Sequence, residues 1–366
     1  MVQVFGAAMS TRIPPFLLRA DNVTTIERTP WGGTHLADRF KRDVLGPAWA
    51  GRPIGESWEL SAGNELPSAD LDGRLLRDRI QGDPAAMLGR EAQLGGNTTA
   101  LLVKLLDARD DLSVQIHPFD NDPALAPDEA GKAEAWLVVR ADEGASIHLG
   151  LRDHVDEPLM RQTLRDGGDV SQLLRRWHVA PGDFFVVEPG TPHAIGRGVT
   201  LVEPQTATAG KRAMTYRYWD WNRRYDGSGR LDPNGKSREL HVERAIAVTR
   251  WPGRDGVEPP FSRNGAADLT AIATWQTLCG PAPHESTSRT SNALRVARLS
   301  GTGDLAVPDW NVLRALTVLE GAVDLRSADT LLRVDAGRTA VLPASATDLR
   351  VQLRAAQAVV SAVVVP

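Results

Sequence analysis

Leu112-Ser113-Val114-Gln115-Ile116-His117 alternates apolar and polar side chains without a break, and a period of two is the mark of a β-strand. Leu112, Val114 and Ile116 would face a packed layer. Ser113, Gln115 and His117 would share the opposite face, which is too polar for a sealed core and suited to the wall of a pocket. Two more segments offer matching groups. Lys132-Ala133-Glu134-Ala135-Trp136 opens a strand with a carboxylate, and GDFFVVEPGTPH, residues 182–193, ends a strand in a Pro-Gly turn followed by His193. Gln115, His117, Glu134 and His193 together present two nitrogens and two oxygens, a set suited to one divalent metal ion. A lone strand histidine is more often a satisfied polar group than a ligand; it is the combination that carries weight.

Working outward, short β-rich runs dominate: TALLVKLLDA, LSVQIHP, AEAWLVVRA, FFVVEP, VTLVEPQ and TYRYWDW, each bounded by Gly, Pro or acidic turn residues. The expected class is all-β with a helical insertion at about 153–178. Pro158 suits a first helical turn after Asp156 and Glu157, and Gly167-Gly168 stops it. Asp169 could cap a second helix, because Val170, Leu173, Leu174 and Trp177 recur at i, i+3, i+4 and i+7. Such helices could roof the pocket or merely pack away from it. Residues 251–268, WPGRDGVEPPFSRNGAAD, read as a connector.

At 366 residues the chain is long enough for about two domains, expected at 1–262 and 263–366. Lysine and arginine number 42 against 46 acidic residues, so no basic surface speaks for a nucleic-acid partner. A single cysteine, Cys279, rules out an internal disulfide framework and fits a reducing cytoplasm. The opening MVQVFGAAMSTRIPPF carries neither a basic leader nor a long apolar run, so no membrane partner is expected.

The order of the ligand motifs resembles the metal centre of the cupin β-barrels. The second cupin motif is usually a glycine, five residues, then P-x-G-x-x-H; here Gly182 and His193 keep that spacing, and the proline, Pro189, sits one place late. Further motifs narrow the resemblance. Pro30-Trp31-Gly32-Gly33, Gly55 to Ser61 (GESWELS), Leu112 to Pro118, Gly131 to Trp136 (GKAEAW), Pro189 to Ala194 and Thr215 to Arg223 (TYRYWDWNR) follow the signature order of class I, zinc-dependent mannose-6-phosphate isomerases, over residues 30–223. The link PQTATAGKRAMT, residues 204–215, is longer than is usual in small bacterial members.

The resemblance implies two cupin-like barrels, or jelly rolls, the second without a metal site. Gly337, five residues, then Pro343 to Asp348 repeats the turn spacing with Asp348 in the histidine's place, and residues 285–366 contain no histidine. It also implies one zinc ion per chain on Gln115, His117, Glu134 and His193, and interconversion of mannose 6-phosphate and fructose 6-phosphate through a cis-enediol. The motif T-Y-R places Arg217 as the active-site arginine; an exposed ladder arginine is the plainer alternative. Lys132, two residues before Glu134, is a base or steers the anionic substrate. Ser113, Lys104, Glu203 and Asp220 are candidates for substrate contact. On a regular strand Arg217 and Asp220 face opposite sides, so both can reach one pocket only across a bend or bulge. His148 and the tryptophans Trp31, Trp58 and Trp136 read as packing residues. Two rival functions stand beside the isomerase: a metal-bearing cupin that binds a sugar or sugar phosphate without turnover, and an iron dioxygenase, which Gln115 disfavours.

Overall fold

The computed structural model describes residues 12–365 apart from 207, 209, 253–260, 282–288 and 328–329. The first eleven residues, and the middle of the expected connector, therefore lie outside it. Strands dominate. A six-stranded sheet has the order Phe261–Arg263, Asp183–Val187, Glu134–Ala141, Val199–Thr206, Leu101–Ala108, Glu56–Leu60. Facing it is a five-stranded sheet ordered Tyr216–Trp219, Val114–Ile116, His193–Ile195, Ser146–Leu151, Leu174–His178. Between them lies an apolar layer to which both contribute: Leu106, Trp136, Val138, Phe185 and Leu201 from one, Ile147, Leu149 and Ile195 from the other.

Alternation explains why the six-stranded sheet has no wet face. Leu101, Val103, Leu105, Ala135, Leu137, Phe184, Val186 and Val202 point away from the first layer into a second core, completed by Leu36, Phe40, Leu76, Ile80 and the C-terminal residues Leu294, Val296, Leu313 and Val359. A sheet covered on both sides reads as a continuous apolar run, which is how residues 101–106 and 184–187 read. The C-terminal strands form an eight-stranded sheet in which the long strands Leu294–Ala306, Arg314–Ser327 and Arg350–Val363 are neighbours. The short strand Phe16–Leu17 joins that sheet beside Thr339–Leu342.

The helical insertion sits on the outer face of the five-stranded sheet. Met160 of helix Glu157–Arg165 packs in one cluster with Val114, Ile116, Ala194, Tyr216 and Tyr218, side chains that point away from the inner layer. It is thus a packing element behind the ligand strands. Asp156 caps it, accepting from the Leu159 N–H at 2.9 Å. The expected second helix is not formed: one 3₁₀ turn, Val170–Leu173, gives way to strand Leu174–His178. Pairing with Ser146–Leu151 decides this. On the strand Leu174 reaches the outer core and Trp177 packs edge-on to Phe185 and tilted against Phe261, so one segment serves two layers, which a single helix face cannot do.

Candidate metal centre and substrate pocket

The polar ends of both sheets meet at one side of the inner layer. On the six-stranded sheet, Lys104 pairs with Glu203 and Gln205 pairs with Glu134. Further along the same strands the inward positions become Leu106, Leu201 and Val138. The result is a polar mouth over an apolar floor. On the facing sheet His193, Gln115 and Arg217 are direct neighbours in register, a single row across three strands. At the usual strand spacing this puts Arg217 about 10 Å from His193 on the same face.

His117, Glu134 and His193 converge, with one ligand atom from each all within 4.8 Å of one another, and all three side chains are buried. His117 Nδ1 lies 3.1 Å from the Met214 carbonyl and His193 Nδ1 lies 2.9 Å from that of Thr191. A carbonyl accepts only, so each Nδ1 carries the hydrogen and each Nε2 presents a lone pair. Those Nε2 atoms are buried without a hydrogen-bond donor among the described residues. His117 Nε2 lies 3.1 Å from Glu134 Oε1, and His193 Nε2 lies 3.8 Å from Glu134 Oε2. Burial, then the Lys132 charge, lowers the His117 ring to about 3. Burial also lowers His193. Burial alone would raise Glu134, yet Lys132 and the His117 contact hold it well below the ordinary carboxylate range. Acceptors facing one another with no proton between them fit a cation. Gln115 stands opposite His193 in the ladder.

Gly190 shapes the approach to His193. It adopts φ +80°, and a Cβ there would lie 2.7 Å from the Arg250 side chain; its N–H donates to the His117 carbonyl at 2.8 Å, tying the turn to the ligand strand.

Around this centre, Lys132 Nζ sits 2.8 Å from Glu134 Oε1, on the face expected. Glu203 is buried; its Oε2 accepts from Trp136 Nε1 at 3.0 Å and its Oε1 from Gln205 Nε2. Burial first, then the Glu134 charge, raises Glu203 to about 8. Lys104 lies 3.4 Å from Glu56 and 4.7 Å from the centroid of Trp58. Burial would lower Lys104, but Glu56 and Glu203 raise it. Glu56 was not singled out from the sequence, although it stands in the quoted GESWELS run. Ser113 Oγ accepts from Arg217 Nε at 3.1 Å.

The ladder is irregular between Arg217 and Trp219, the bulge that the two-sided problem of Arg217 and Asp220 requires. Asp220 is buried and its carboxylate is held by Arg238 and Arg223. Trp31 and Trp136 are buried packing residues, and His148 lies outward against Trp221. No helix among the described residues is long and apolar enough to cross a membrane.

Residues 21–146 match the family model for the phosphomannose isomerase type I catalytic domain. The mannose-6-phosphate isomerase of Streptococcus mutans is 38% identical over 293 residues, covering 76% of this chain and 83% of the relative. The chain belongs to the type I mannose-6-phosphate isomerases. The crystal structure of the Bacillus subtilis mannose 6-phosphate isomerase superposes with a TM-score of 0.72 at 26% identity, covering 96% of this chain and 100% of that one. The Salmonella typhimurium isomerase, crystallised with fructose 6-phosphate and zinc, shares the fold at a TM-score of 0.63 and 14% identity, covering 96% and 100% of the two chains. Mannose-6-phosphate isomerases are aldose–ketose isomerases, and both rival functions give way to that assignment.

Proposed function

We propose that this isomerase interconverts mannose 6-phosphate and fructose 6-phosphate by moving a proton between C1 and C2 through a cis-enediol, with one zinc ion held by Gln115, His117, Glu134 and His193. The observation carrying this reading is the meeting of two donor-less imidazole Nε2 atoms with the Glu134 carboxylate, flanked by Lys132. One formal negative charge in the ligand set leaves a divalent site net positive. A bound zinc ion would act there as a Lewis acid for the oxygens on C1 and C2.

The protein's own groups divide the remaining work. Lys132 and Glu203 carry the proton: the C2–H proton leaves for a base, its electron pair forms the C1–C2 double bond, and the C1=O π pair moves onto O1, which takes up a proton; the O2 proton then leaves as C2=O forms, and the C1–C2 π pair takes up a proton at C1. Glu203, held protonated at neutral pH by its surroundings, suits the donor role. Arg217 places a fixed positive charge by the developing enediolate. Ser113, Lys104 and Asp220 line the route for substrate hydroxyls and phosphate, Asp220 through the arginines it holds.

The domain division follows the same logic: a catalytic cupin domain, 1–262, and a C-terminal degenerate cupin domain, 263–366, each a barrel. Positive φ at both Gly182 and Gly337 supports a repeated turn start, and a histidine-free C-terminal sheet offers no second imidazole. A coupled assay with both sugar phosphates, alongside metal analysis of the same sample, tests the reading. Full zinc occupancy without turnover would refute it.

A further inference from the structure

The Arg217 guanidinium sits at the end of a long, flexible side chain, so its place in the pocket has to be imposed. Its Nε donates to Ser113 Oγ at 3.1 Å and its NH1 donates to the Glu239 carbonyl at 2.8 Å. Main-chain contacts add to these. The Arg217 N–H donates to His241 Nδ1 at 3.2 Å, and the His241 N–H donates to the Arg217 carbonyl at 2.8 Å. The segment 239–241 therefore forms one side of the arginine's seat. That segment arrives after an excursion in which Trp221 and Asn222 both adopt positive φ and Tyr225 bridges to Lys236.

The excursion is pinned by one side chain. Arg238 grips Asp220 with two parallel bonds, Nε to Oδ2 at 2.7 Å and NH2 to Oδ1 at 2.6 Å, the planar fork that lysine cannot reproduce. Asp220 is buried, and two residues and one bulge separate it from Arg217. The contacts close a ring from Arg217 along the strand to Asp220, across to Arg238, through the Glu239 carbonyl and back to the Arg217 guanidinium. Arg223 also reaches Asp220, from three residues away, within the local turn. Arg238 comes from eighteen residues on. Its bond fixes where Glu239 lies.

We propose that Arg238, gripped by Asp220, is a positioning residue that holds the Arg217 guanidinium in the substrate pocket. The proposal rests on the role given to Arg217 above.

The test is a mutant cycle on the full-length zinc-loaded enzyme: R217A, R238Q, D220N, R217A/R238Q and D220N/R238Q. For each, kcat and KM for mannose 6-phosphate, zinc per chain and melting temperature are measured. R238Q and D220N should lower kcat by about ten- to a hundredfold, with KM changed much less and zinc content at the parental level. R217A/R238Q should be no slower than R217A to within about twofold, because Arg238 acts only through Arg217. If R238Q alone folds poorly, D220N/R238Q restores a neutral hydrogen-bonded pair without the fork and carries the same expectation. The proposal is overturned if the double variant loses the product of the two single effects, or if R238Q keeps its kcat while R217A loses a hundredfold. In both of those outcomes the role of Arg217 stands. Near-parental turnover in R217A is a different result: it removes the role of Arg217, and the positioning role with it.

Discussion

His117 Nε2 and Glu134 Oε1 approach to 3.1 Å across the space between the two sheets, each presenting a lone pair to the other. Met214 occupies the only hydrogen of the His117 ring, and the ring resists protonation down to about pH 3. Lys132 Nζ, 2.8 Å from the same Glu134 oxygen, offsets part of the carboxylate charge, and the two Nε2 lone pairs are left for a cation.

His117→Ala and His193→Ala should each lose bound zinc together with activity. Elemental analysis after gel filtration checks this. A His193→Ala protein that retained parental zinc affinity would remove that residue from the ligand set.

Arg217→Ala should keep its zinc and its fold while kcat falls by roughly a hundredfold or more, the scale seen when one fixed donor to a developing charge is deleted. Arg217→Lys should recover little, because one ammonium cannot bond both Ser113 Oγ and the Glu239 carbonyl in a fixed plane. Steady-state kinetics of the two variants, with zinc content measured beside them, decide the matter.

Glu91 predicts a pH dependence of stability that does not involve the metal centre. It is fully buried; Oε1 accepts from Thr99 Oγ1 and the Ala100 N–H, both at 2.7 Å, while Oε2 has no hydrogen bond among the described residues. Burial raises it from 4.5 to about 7. The folded state thus binds a proton that the unfolded state has released, and this contribution is complete below about pH 4.5 and lost as pH rises through about 7. Urea midpoints should fall between pH 5 and 8 on this account. Glu91→Gln should flatten that slope and be the more stable protein at pH 8, by on the order of 2–3 kcal/mol. An unchanged slope in Glu91→Gln would locate the pH dependence elsewhere.

Zinc should bind at one ion per intact chain. Asp348→Ala should leave that stoichiometry unchanged, and chelation should lower the melting temperature as well as activity, because the ion binds the folded state alone. Two ions per chain, one of them lost in Asp348→Ala, would make the C-terminal sheet a second metal domain.

The convergence of His117, Glu134 and His193 was legible because a strand's period of two is local. The strand proper is Val114–Ile116, and His117 follows directly at its end, where it meets Glu134. The start of helix Glu157–Arg165 was legible for a similar reason: Pro158 fits a first helical turn, a preference set by its own ring. Spacings and residue types along the chain sufficed for these elements and for the family.

What lay beyond the sequence depended on which surfaces meet. Val170, Leu173, Leu174 and Trp177 satisfy a helical period, yet a free strand edge beside Ser146–Leu151 and a second core on the far side favoured extension. The insertion's place behind the five-stranded sheet followed from an apolar outer face, Val114, Ile116 and Tyr216, that needed cover. The partner of Asp220 lay beyond the sequence, because Arg238 stands eighteen residues away and one bulge breaks the strand's parity. Glu56, Lys104 and Glu203 became neighbours through strand order alone. Alternation is a property of adjacent residues, and the sequence by itself determined it; burial, long-range ion pairs and the choice between two allowed periods are properties of the assembled layers, and only the tertiary structure decided them.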